Sequence, residues 1–111
     1  MIIKNPLPPG IAHRIRRAIR NRFKRNIWRH LPYTPTQLAK HLEKQFQEGM
    51  TWKNYGCARG CWNIDHIYPI SRLGHPRNPC HPDFKKCWSL KNLQPMWMEE
   101  NVAKGDSIPD E

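Results

Sequence analysis

Trp62-Asn63-Ile64-Asp65-His66-Ile67-Tyr68-Pro69 is the stretch on which the fold turns. Its first residues alternate apolar and polar, as a short half-buried strand does, and Pro69, with no N–H to give to a ladder, stops it. Asp65 and His66 bring chemistry to this strand. A carboxylate ligates hard cations, and an imidazole with a pKa near neutrality can take a proton from water. Neighbouring side chains on a regular strand point to opposite faces. The two can therefore serve one site only where the strand bends or ends, and Pro69 supplies that end. Downstream, a loop rich in Pro, Gly and His covers residues 71–86, and residues 87–93 read as a second short strand that Pro95 breaks. Residues 98–104 read as a brief helix, with Glu99 and Glu100 in its first turn, Lys104 in its last and Gly105 as its cap. Within it Asn101 and Lys104, three apart, share a face. Short strands and helices in separate runs make this an α+β chain, and the tail from Asp106 is polar.

Upstream the pattern is helical. Ile11, Ile15, Ile19, Phe23, Ile27 and Leu31 recur every four residues, which predicts one amphipathic helix ending before Pro32. Its other faces carry Arg14, Arg16, Arg17, Arg20, Arg22, Lys24, Arg25 and Arg29, without an acid among them. Solvated helix faces usually mix signs, so this one reads as a phosphate-contacting helix, with an interfacial membrane helix as the other option. Thr34-Pro35-Thr36-Gln37 marks a second helix start: Thr34 caps, Pro35 suits the first position and Gln37 has the capping-box spacing. Leu38, Leu42 and Phe46 continue it to about Gly49.

Charge divides the chain in the same place. Of 19 Lys and Arg, ten lie in residues 1–42, where no acid occurs; residues 43–111 hold nine basic and nine acidic residues, so the whole excess of +10 belongs to the first part. A basic extension on a chain of 111 residues, the length of one small domain, points to a polyanion, nucleic acid first and an acidic membrane surface second. No four apolar residues run together, which excludes a membrane span and a signal-peptide core and makes a cytoplasmic protein the expectation. Five Trp, three Tyr and three Phe argue against disorder, and 11 Pro for many turns. In a reducing compartment the four Cys are metal ligands or free thiols rather than disulfides.

Taken in order, Trp62-x-x-Asp65-His66-Ile67-x-Pro69, Asn92-Leu93-Gln94-Pro95 and Asn101-x-x-Lys104-Gly105 resemble the HNH endonuclease family, in its HNN variant because Asn101 stands at the final position. Phe46-Gln47-x-Gly49-Met50-Thr51-Trp52-x-Asn54-Tyr55-Gly56 is similar to the lead-in of phage-type members. The resemblance covers about residues 45–105. It implies a ββα-metal core at 49–111, ending in a short polar tail, behind a basic helical DNA-binding arm at 1–48. It implies a metal-dependent enzyme that hydrolyses DNA to 5′-phosphate and 3′-hydroxyl ends, from a phage or mobile element expressed in a bacterial host. Asp65 and Asn101 would ligate Mg2+ or Mn2+, ions that favour oxygen donors. His66 would activate water, and Asn92 would orient the His66 loop or ring. Arg14, Arg16, Arg17, Arg20, Lys24, Arg72 and Lys104 would contact DNA phosphates. Some members hold a structural zinc with cysteine pairs on either side of the catalytic strand. Cys57, Cys61, Cys80 and Cys87 have that order, but three residues separate the first pair and six the second. His75 or His81 could replace one Cys, and free thiols remain the other option, Cys87 beside Trp88 above all. From other function classes, a non-catalytic zinc-stapled nucleic-acid-binding module and a basic RNA- or ribosome-associated protein are the rival readings.

Overall fold

Three isoleucines, one per turn, start the core: Ile11, Ile15 and Ile19 face inward from helix α1 (Ile11–Phe23) and are buried. The structure, a computed structural model, describes residues 7–23, 27–70 and 79–107. The α1 stripe packs on helix α2 (Pro35–Glu43), which buries Leu38, Ala39 and Leu42. Helix α2 starts as its sequence predicts. The Thr34 hydroxyl accepts the Gln37 N–H at 3.1 Å, and the Gln37 side-chain oxygen accepts the Thr34 N–H at 2.8 Å. It ends at Glu43, short of Gly49, and the chain turns to set Phe46 against Trp52 and Trp62, with ring centroids 5.2 and 5.0 Å away.

The first helix is also shorter than its periodicity. The described regular helix is Ile11–Phe23, and Ile27–His30 form a 3-10 turn. The Trp28 indole N–H donates to the Arg16 carbonyl at 2.9 Å. In a continuous helix residues 16 and 28 would stand ~18 Å apart along the axis, so the chain has doubled back. Ile27 and Leu31 keep the four-residue rhythm because they fill the same core from the returning segment.

Strand β1 (Trp62–His66) pairs antiparallel with β2 (Leu93–Trp97), Trp62 opposite Trp97 and His66 opposite Leu93. The wholly buried Trp62 anchors β1, donating its indole N–H to the Thr51 carbonyl at 2.7 Å. The second strand is not the one the sequence reading places at 87–93. Helix α3 (Phe84–Cys87) and a 3-10 turn at Leu90–Asn92 occupy that stretch and bury Phe84, Cys87 and Trp88. Pro95 lies inside β2, opposite Ile64, instead of breaking a strand. In a two-stranded antiparallel ribbon alternate residues turn their N–H away from the partner, and proline fits such a position. Helix α4 (Met98–Lys104) follows β2 directly, packs on both strands and closes at Gly105, whose φ is 56° and whose N–H bonds the Asn101 carbonyl at 3.1 Å. The architecture is a small α+β fold: four α-helices and a two-stranded antiparallel sheet among the described residues. No helix among them is long and apolar enough to cross a membrane.

Candidate active site

Where β1 ends, the chain brings three distant segments together. Asp65 and His66 of β1, Asn101 and Lys104 of α4, and Arg22 at the end of α1 line one cleft of about 340 Å3. Asp65 is buried, and both of its carboxylate oxygens have partners. Gln94, opposite it on β2, donates from Nε2 to Oδ2 at 2.9 Å, and the Lys104 ammonium lies 3.4 Å from Oδ1. The same ammonium donates to the His66 carbonyl at 3.0 Å. Lys104, expected from sequence on a DNA phosphate, therefore rests on Asp65 and the β1 backbone.

The His66 ring packs edge-on against Trp88, with centroids 4.4 Å apart and planes at 87°. Burial pushes its pKa down to about 3, and the nearby Arg22 and Lys104 charges add to the shift. The imidazole is thus neutral near pH 7. Its Nε2 is buried and is the one such side-chain atom without a hydrogen-bond partner among the described residues. Burying a polar atom unpaired is costly.

Asn92 stands behind the cleft rather than in it. Its Oδ1 accepts the Tyr68 N–H at 2.8 Å, and its Nδ2 donates to the carbonyls of Cys87 at 2.8 Å and Tyr68 at 3.3 Å. Its backbone carbonyl accepts the Ile67 N–H at 2.9 Å. One buried side chain so clamps the segment immediately after His66.

A divalent cation can be tested against these donors. The Asp65 carboxylate and the Asn101 amide share the cleft, and the Lys104 ammonium beside Asp65 marks the spot as one that holds positive charge. Hard oxygen donors suit Mg2+ or Mn2+, and Mg2+ takes only one or two protein carboxylates, filling its shell with water and substrate phosphate. Among the described residues no three His, Cys, Asp or Glu side chains gather, so the oxygen donors on offer in this cleft are those of Asp65 and Asn101.

The cysteines do not form a cluster of that kind either. Cys57 and Cys80 are exposed, Cys61 is half-buried, and Cys87 lies in the core, where burial pushes its thiol up to about 12 and keeps it protonated. His81 turns Nδ1 to the Asp83 N–H at 3.0 Å. Lys24, Arg72 and His75 fall outside the described residues.

Sequence reading did not single out Arg22, one cation among the eight on the helix that the periodicity predicts. Its Nη2 donates to the Asn63 side-chain oxygen at 3.3 Å, and its guanidinium lies 6.0 Å from the centre of the Trp88 ring. It also walls a second cleft of about 480 Å3, shared with Arg14, Arg17, Asn21, Tyr55 and Asn63. Only long-range contacts reveal this, because helical periodicity places Arg22 no differently from its neighbours.

No protein-family model matches the chain, and no solved structure matches it. An uncharacterized protein of Acanthamoeba polyphaga mimivirus is 25% identical over 118 residues, covering 97% of this chain and 49% of the relative. The chain thus spans about half the length of that relative.

Proposed function

We propose that the protein is a metal-dependent endonuclease of the HNH type that hydrolyses DNA, with β1, β2 and α4 as its ββα core. One observation carries the reading: the adjacent Asp65 and His66 of β1 and the distant Asn101 of α4 converge in one cleft. His66 takes a proton from water. The water oxygen bonds to phosphorus, the bond to the 3′ oxygen breaks, and that oxygen leaves with a proton from solvent, giving 5′-phosphate and 3′-hydroxyl ends. Mg2+ or Mn2+ held by Asp65 and Asn101 would polarise the phosphate and stabilise the leaving oxygen. Asn92 keeps the His66 segment in place, and Arg22 offers a donor to the phosphate. Arg14 and Arg17 are candidate contacts to flanking DNA. The mimivirus relative supports a viral setting.

Incubation of supercoiled plasmid with the protein and Mg2+ or Mn2+ tests this. The wild type is expected to nick or linearise the plasmid, and His66→Ala to cut ~10²–10⁴-fold more slowly. Equal cutting by both would remove His66 from the chemistry. Binding without cutting in any divalent metal would favour the non-catalytic nucleic-acid-binding module, which the acid-free α1 alone would support.

A further inference from the structure

We infer that the cleft walled by Arg14, Arg17, Asn21 and Arg22 of α1 and Asn63 of β1 holds the DNA backbone next to the scissile phosphate, and that Arg16 and Arg20 of the same helix take no part. The word scissile rests on the nuclease reading; the anion site rests on its own chemistry. The cleft presents three guanidinium groups and two carboxamides and has no carboxylate in its wall. Among the described residues no carboxylate pairs with Arg14, Arg17 or Arg22.

The site is also stiffened in advance. Arg14 donates to the carbonyls of Trp52 at 3.2 Å and Tyr55 at 3.0 Å and lies 5.1 Å above the centre of the Tyr55 ring. A guanidinium fixed in this way meets a phosphate with little further loss of side-chain freedom. Arg22 lines both this cleft and the one holding His66, so a strand crossing from one to the other passes its guanidinium.

Helix geometry divides the arginines. At ~100° per residue, Arg14, Arg17 and Asn21 cluster on one face, while Arg16 and Arg20 sit ~200–240° around the helix from Arg14. Arg16 instead lines a small cleft with His13 and Thr36.

Charge-matched substitutions test the inference, because Arg16→Ala, Arg17→Ala and Arg20→Ala each remove one cation from an exposed position. Binding is read as fluorescence anisotropy of a labelled DNA duplex in EDTA across a salt series. R17A should lose about tenfold in affinity and one unit of salt slope, and R16A and R20A should stay within about twofold. Asn21→Asp, which sets a carboxylate in the cleft, should weaken binding at least as much as R17A. Equal losses in all three arginine variants would mean diffuse attraction and overturn the inference, as would wild-type binding by R17A. Plasmid cleavage is scored separately. If the wild type cuts but R17A binds normally, the cleft fails and the nuclease reading stands. If nothing cuts but R17A alone loses affinity, the nuclease reading fails and the cleft stands as a DNA-backbone site.

Discussion

Around α1 and α2 the buried side chains are Ile11, Ile15, Ile19, Leu38, Ala39 and Leu42, all of them apolar, whereas around β1 and β2 the interior also takes in Asn63, Asp65, His66 and Asn92. Those four are the buried polar side chains of the described residues. The helical half keeps its cations outside and gains stability from transfer of aliphatic surface, ~1.5–3 kcal/mol for each large side chain. The strand half accepts polar groups into its interior and must satisfy each of them. Asn92 shows the satisfied case, with each polar atom of its side chain paired, and His66 the unsatisfied one. The contrast teaches that burying a polar group serves the fold when the protein supplies the partners, and that the residue the proposed chemistry rests on is the one left without them.

The strongest way to break this contrast is at Asn92. Replacing it with Ala strands the Tyr68 N–H and the carbonyls of Cys87 and Tyr68, a loss of about 3 kcal/mol in urea unfolding. Leu38→Ala in the helical half should cost a comparable ~2–5 kcal/mol through the cavity it leaves. The two should part in activity. Leu38→Ala protein that remains folded should cleave plasmid normally, while Asn92→Ala should lose cleavage even where folded, because the segment after His66 loses its clamp. If Asn92→Ala left both the unfolding midpoint and cleavage untouched, the polar interior would not be holding the site.

A smaller effect comes from acid. The folded pKa of His66 is about 3 and the ordinary value 6.5. Above pH 6.5 the ring is neutral in both states and contributes no pH dependence. As pH falls from 6.5 toward 3 the unfolded chain takes up a proton that the folded protein refuses, so stability drops by about 1.4 kcal/mol per pH unit. Metal-free protein unfolded in urea between pH 6.5 and 4.5 should follow that slope, and His66→Ala should flatten it. Identical slopes in the two proteins would show that His66 titrates normally in the folded state.

The same contrast explains what could be read from sequence. Local rules carried the parts whose signals are local: the Thr34–Gln37 box, the β1 run from Trp62, and the helix that Gly105 ends. They failed where a distant contact decided the outcome. Ile27 and Leu31 continue a helical rhythm on a chain that has turned back, and the deciding contact is the bond from Trp28 to Arg16. Pro95 reads as a strand breaker until its place in a two-stranded ribbon is known. Residues 87–93 read as strand, but Cys87 and Trp88 fill the core from a helical turn and only Leu93 of that stretch belongs to β2. In the site, Asp65, His66, Asn101 and Lys104 were legible through the order of their motifs. Arg22 and the binding of Lys104 to Asp65 were not, since a cation's partner is set by packing and not by its neighbours in sequence.

The smallest effect sharpens the contrast from the other side. Thr34→Ala removes the hydroxyl that accepts the Gln37 N–H, while the Gln37 side chain can still accept the backbone N–H of position 34. Half of the capping box survives, so the cost is ~1 kcal/mol, or a Tm lower by about 4–8 °C for a domain of this size. This variant touches neither cleft and alters no buried polar group. Its cleavage rate, and the salt dependence of its DNA binding, should match the wild type at temperatures where both are folded. Loss of cleavage in Thr34→Ala on the scale expected for Asn92→Ala would mean that the helical half does more than support the strands, and that α2 is coupled to the His66 cleft through the α1–α2 contact.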